Sequence, residues 1–149
     1  MRALAPLAVL GLATATLTGC STIQGIIDGP VLQDFAVGEC LDTDGVVSGD
    51  ETEVGTIPVV ECTEAHDAEV YYVTDTTLTE FDEEALFDEV TTACLDEFQA
   101  YVGVAYDDSS IYYSAIYPTQ DSWDIEDRQL VCLLTVDEDV TQSFQGSGV

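Results

Sequence analysis

Between Glu83 and Val102 the apolar side chains change their period, and that change restricts the fold more than any other feature of the chain. Phe87, Val90, Cys94, Phe98 and Tyr101 recur at spacings of three and four, flanked by Leu86 and Val102. A turn of 3.6 residues brings such positions onto one side, so the stretch predicts an amphipathic helix that buries this stripe. Asp82, Glu83 and Glu84 suit its positive N-terminus, and Gly103 suits a left-handed cap at its end. Strand candidates stand on both sides. Phe35 to Cys40 is short and apolar, and Thr56 to Glu61 carries Pro58, which points to an edge or a strand start. Ala68 to Thr74 is β-branched and aromatic. Ile111 to Tyr117 stops at Pro118, and Leu130 to Val136 places Leu130, Cys132, Leu134 and Val136 on one face. The expected fold class is α+β, with one main amphipathic helix packed on an antiparallel sheet.

The N-terminus carries a different signal. Met1-Arg2 precedes an apolar, small-residue run from Ala3 to Leu17, too short for a comfortable membrane span, and Leu17-Thr18-Gly19-Cys20 follows at once. A branched residue, two small ones and a Cys is the pattern read by lipoprotein processing. The expected product begins at a lipidated Cys20, whose acyl chains anchor it in the membrane at about 0.8 kcal/mol per buried methylene. The chain then divides into a signal peptide (1–19), a lipidated tether (20–34), one domain (35–137) and a flexible C-terminal tail (138–149). This places the domain on the outer face of the cytoplasmic membrane.

Cys40, Cys62, Cys94 and Cys132 remain once Cys20 is used, and an even count in an exported chain reads as two disulfides. Three connectivities are open. The favoured one is Cys40–Cys62, at the ends of two early strand candidates, with Cys94–Cys132 joining the helix to the last strand. No C-x-x-C pair occurs and the single His is not spaced as a ligand, so neither a zinc site nor any cofactor is expected.

Charge excludes some partners. Thirty acidic residues stand against two arginines, and removal of the signal leaves Arg128 alone. A phosphate backbone needs a basic footprint, so nucleic acid is ruled out, and anionic lipid is disfavoured as a docking surface. The excess serves solubility or a salty habitat, or else a cationic partner or divalent ions.

Four residues stand out as a binding or structural site: His66, Glu69, Trp123 and Arg128. His66 lies in Cys62-Thr63-Glu64-Ala65-His66-Asp67-Ala68-Glu69, where it is either a general base oriented by Glu69 or Asp67 or a structural His bonded to a neighbour. Arg128 is expected to hold a carboxylate through a bidentate pair, or to clamp an anion. Trp123 reads as a partner anchor or as the residue closing one end of a small core. Asp42-Thr43-Asp44-Gly45 resembles the opening of a calcium loop but lacks the EF-hand's later ligands and its Gly. No nucleophile motif is present.

Taken in order, these pieces resemble the actinobacterial septum formation domain. Val37-Gly38-Glu39-Cys40-Leu41 is similar to its opening V-G-D-C-L. Val59-Val60-Glu61-Cys62, His66 and Glu69-Val70-Tyr71 are similar to V-V-x-C…P-H-x-x-E-V-Y. Cys94, Phe98 and Tyr101-Val102-Gly103 resemble C…F…Y-V-G. Pro118, Trp123, Asp127-Arg128 and Val131-Cys132-Leu133-Leu134 resemble P…W…D-R-x-x-x-C-L-L. Two positions depart from the pattern: Ala65 stands where the family usually has Pro, and Glu126 where it has Gly. The resemblance implies an exported or membrane-tethered domain linked to septum formation, and no established enzymatic activity or ligand. The function expected is a non-enzymatic binding or scaffolding module of the cell envelope, with an envelope or division protein as partner. The alternatives are a cell-wall-acting enzyme with a His66/Glu69/Arg128 pocket, and a calcium-binding acidic spacer.

Overall fold

A computed structural model describes residues 32–43 and 56–149. The signal peptide, Cys20, most of the tether, and Asp44 and Gly45 of the calcium-like segment lie outside the described residues. Five antiparallel strands form one sheet: β1 (Cys40–Leu41), β2 (Val59–Val60), β3 (His66–Asp75), β4 (Tyr112–Ile116) and β5 (Gln129–Val140), in the order β2-β1-β3-β5-β4. Helix α1 (Glu83–Val102) crosses one face, and a short helix α2 (Gln120–Trp123) precedes β5. β2 is an edge strand, as Pro58 suggests.

Both ends of α1 are set by local chemistry. Asp82 accepts a bond from the Ala85 amide at 3.1 Å, and Glu83 and Glu84 occupy the positive first turn. Gly103 takes the left-handed conformation (φ 99°) that a side chain resists. The buried row is Leu86, Val90, Cys94, Phe98 and Val102, a strict i+4 series. This corrects the phase of the expected stripe. Phe87 is 51% exposed and stacks edge-on with Tyr117, while Tyr101 is half-buried.

The expected face of β5 is the one that meets the helix: Leu130, Cys132, Leu134 and Val136 join Tyr71, Trp123 and Phe144 in the core there. A second core covers the opposite face. Phe35, Leu41 and Ile57 pack on Ala68, Val70, Val131 and Leu133. The middle of β5 is therefore buried on both sides, which accounts for its unbroken apolar run. Two glutamines pin the covering segment. Gln33 exchanges two bonds with the Ile57 backbone (2.7 and 2.9 Å), and Gln129 does the same with Phe35 (3.1 and 3.3 Å).

β3 carries a bulge between Val70 and Tyr72, whose partners Leu133 and Cys132 are consecutive. The extra residue lets Tyr71 and Tyr72 both pack against the helix-side core. The disulfides are Cys40–Cys62 and Cys94–Cys132, the favoured connectivity, and the second ties α1 to β5 through the core.

Residues 138–149 are not the loose tail expected. Glu138 to Val140 belong to β5, Phe144 is buried, and the Gly146 and Gly148 amides donate to the carbonyls of Tyr101 and Val102 at 2.8 and 2.9 Å. Gly146 and Gly148 take left-handed conformations (φ 65° and 70°), which glycine adopts at no steric cost and which turn the backbone against the end of α1. Among the described residues no helix is long and apolar enough to cross a membrane.

Candidate functional site

The register of β1 on β3 sets Cys40 opposite Glu69. Four residues before β3, Cys62 closes its disulfide on Cys40, and His66 opens the strand. Three groups from separate parts of the sequence thereby converge. Cys40 Sγ, a ring nitrogen of His66 and a carboxylate oxygen of Glu69 all lie within 4.8 Å of one another, and all three residues are buried. His66 thus stands beside sulfur and oxygen donors, contrary to the expectation from its linear spacing.

Glu69 is fully buried and is satisfied by neutral donors. The Tyr101 and Ser143 hydroxyls donate to Oε1 at 2.7 and 2.6 Å, and the Phe144 amide donates to Oε2 at 2.6 Å. Burial pushes the Tyr101 hydroxyl well above its ordinary pKa, and its bond to Glu69 pushes it further. His66 Nδ1 lies 2.8 Å from the Glu64 carbonyl. A carbonyl only accepts, so Nδ1 carries a proton and donates it. Nε2 is buried and has no hydrogen-bond partner among the described residues. The edge of Phe144 closes the space, 6.3 Å from the imidazole centroid. Tyr101, Ser143 and Phe144 carried no sequence signal for this role, because each reaches Glu69 only through the tertiary fold.

Trp123 and Arg128 form a separate unit. Thr119 and Ser122 make a capping box that starts α2, and Trp123 ends it against Phe81 and the helix-side core. Trp123 therefore closes one end of the core. The Arg128 guanidinium lies 3.5 Å from the Trp123 ring centroid and donates from Nη1 to the carbonyls of Trp123 and Asp127 at 3.0 and 2.5 Å. This corrects the expected carboxylate pair: among the described residues its polar contacts are carbonyls and an aromatic face. Glu126, in the same loop, is held at φ 73°, the conformation for which the family pattern has Gly.

The two units do not form one pocket. Gln129 pairs with Asp75, and the Thr76 amide donates to the Arg128 carbonyl, so Arg128 sits at the far end of β3 from His66. At about 3.3 Å per residue, the strand separates them by roughly 30 Å. The combined His66/Glu69/Arg128 pocket is thereby overturned.

A shallow groove of about 530 Å³ runs between α1 and β3, lined by Tyr72, Asp88, Glu89, Thr92, Asp96 and Glu97. Glu89 accepts from the Thr77 amide and hydroxyl at 2.9 and 2.8 Å and from the Thr76 hydroxyl. Partial burial is the largest single influence and raises its pKa, but these bonds together outweigh it and hold the carboxyl below its usual range. Asp67, near the calcium-like segment, is engaged by the amide (2.7 Å) and hydroxyl of Thr43.

No curated protein and no solved structure matches the chain. The family model described as septum formation matches residues 37–148, from the approach to β1 through the packed C-terminal segment. With that match covering most of the chain and both disulfides, the protein belongs to the septum formation family.

Proposed function

We propose that this protein is a lipoprotein of the outer face of the cytoplasmic membrane, anchored through Cys20, whose domain binds or scaffolds a protein of the division or envelope machinery and catalyses no reaction. The observation that carries the binding reading is the state of its polar cluster. Cys40, His66 and Glu69 are buried, Cys40 is in a disulfide, and both Glu69 oxygens accept internal donors. While the disulfide is intact these buried groups offer a substrate no approach, which supports a reading in which the outer surface carries recognition. That surface is acidic, and the groove beside α1 carries four carboxylates, so a basic partner segment fits it best. The lipobox supports the anchor, and family membership supports the link to division.

The test is crosslinking in living cells, then purification and mass spectrometry, with a Cys20→Ala form as the unanchored control. The expected result is enrichment of one or two division or wall-synthesis proteins, lost in the control. Recovery of abundant envelope proteins alone would count against the division role. Septa of normal shape and timing in a strain lacking the gene would do the same.

A further inference from the structure

The polar cluster at the start of β3 has the donor set and the outer support of a metal site. Cys40, His66 and Glu69 bring sulfur, nitrogen and oxygen within 4.8 Å of one another, and Cys62, bonded to Cys40, brings a second sulfur. Two thiolates, an imidazole and a carboxylate form a four-donor set of the kind a tetrahedral zinc ion accepts.

The contacts around these donors are those that metal ligands need. A ligating histidine usually gives one ring N–H to a carbonyl or carboxylate and turns the other nitrogen to the ion. His66 gives Nδ1–H to the Glu64 carbonyl, which leaves Nε2 as the lone-pair nitrogen, buried and without a hydrogen-bond partner among the described residues. Burying an acceptor without a partner is costly, and the binding role proposed above makes no use of it. Glu69 is oriented in the same manner. Oε1 accepts two donors and Oε2 one, so Oε2 keeps a lone pair.

We propose that Cys40, Cys62, His66 and Glu69 form a redox-gated site for a zinc-class divalent cation, closed while Cys40–Cys62 is a disulfide and opened by its reduction. The reductant is a dithiol. It transfers two electrons and two protons, becomes a disulfide itself, and leaves Cys40 and Cys62 as thiols. The ion then displaces both thiol protons to solvent and binds the two thiolates, His66 Nε2 and Glu69 Oε2. Reductant reaches this bridge before the other one. Cys62 is partly exposed, whereas Cys94 and Cys132 are both fully buried between α1 and the sheet.

The experiment uses the full-length protein in detergent, reduced under anaerobic conditions with a water-soluble phosphine, which takes an oxygen from water as the disulfide becomes two thiols. Cobalt(II) is the probe. The expected result is one cobalt per chain, with sulfur-to-cobalt charge-transfer absorption and the strong visible bands of a tetrahedral ion, both removed by one equivalent of zinc(II). The oxidised protein should show neither. His66→Ala should weaken cobalt binding more than tenfold, and Cys62→Ser, at a partly exposed position, should halve the charge-transfer absorption. Reduced wild-type protein without thiolate bands, or with cobalt on surface carboxylates only, overturns the proposal. Thiolate bands unchanged in both variants also overturn it, because they place the ion on Cys94 and Cys132.

Discussion

The two ends of β3 hold charge in opposite ways. At the His66 end, Glu69 is fully buried and meets two hydroxyls and an amide rather than a cation. At the Asp75 end, the Arg128 cation is half-buried and meets an aromatic face and two carbonyls rather than an anion. With two arginines against 30 acids, ion pairs are scarce, and dipoles and ring faces take their place. The reach of the contacts also differs. Glu69 is held by residues 32, 74 and 75 positions away, and Arg128 by residues one and five positions away. One end therefore closes the whole fold, while the other braces a single loop.

This contrast sets an order of effects. Glu69→Ala leaves three donors without their acceptor and is expected to destabilise the protein by about 3–5 kcal/mol in urea unfolding. A loss below about 1 kcal/mol would erase the distinction between the ends. Tyr101→Phe removes one of the three bonds and should cost about 1–2 kcal/mol. It should also change the alkaline limb. Burial, then the bond to Glu69, raises the Tyr101 pKa in the folded state, so the native protein keeps this proton longer than the unfolded chain. The resulting stability is complete below the ordinary tyrosine value of about 10 and is lost as pH rises above it. Melting temperatures followed from pH 8 to pH 11 should fall less steeply in Tyr101→Phe. Tyr71, raised mainly by its burial, keeps part of the slope in both proteins.

At the Arg128 end the numbers are smaller. Arg128→Ala should cost about 1 kcal/mol, with Arg128→Lys between it and wild type, because an ammonium keeps the attraction to the ring but not the flat stacking. Glu126→Gly has the opposite sign. A non-glycine residue at φ 73° is strained, and the substitution should raise stability by about 0.5–1 kcal/mol in the same urea assay. Glu89 repeats the neutral-donor solution near the surface, so its effect is the smallest. Its folded pKa is lowered, so its contribution is present above the ordinary carboxylate range and is lost as pH falls through the folded value. Glu89→Gln should blunt acid destabilisation slightly in pH-dependent melting, and less so in high salt.

Local pattern anticipated much of this fold. The bounds of α1, the central strands, the helix-side face of β5 and the disulfide partners all agree with the periodicity and the caps. The errors have physical causes. At Leu86-Phe87 and at Tyr101-Val102 two neighbouring apolar residues compete for the inward position, and only packing against the sheet decides between them. Residues 138–149 read as a flexible tail because they end in small polar residues, yet Glu138 to Val140 extend β5, with Val140 paired to His66, and Phe144 is buried. His66 and Glu69 stand out by their short spacing, but their surroundings do not. Cys40 reaches them through strand pairing and Ser143 through a chain reversal, and neither leaves a trace in linear order. Among the described residues the carboxylate pair expected of Arg128 does not form, because an abundance of acids says nothing about which group lies nearest.

The clasp formed by Ser143, Phe144, Gly146 and Gly148 has a consequence for timing. These residues follow the last strand, yet they satisfy a buried acid on β3 and cap the carbonyls that end α1. Until they emerge from the ribosome, the nascent domain holds an unsatisfied charge next to an unfinished helix, and its closed form is out of reach. Closure of the domain therefore waits for the segment that follows β5, and one short stretch of chain decides when the fold locks.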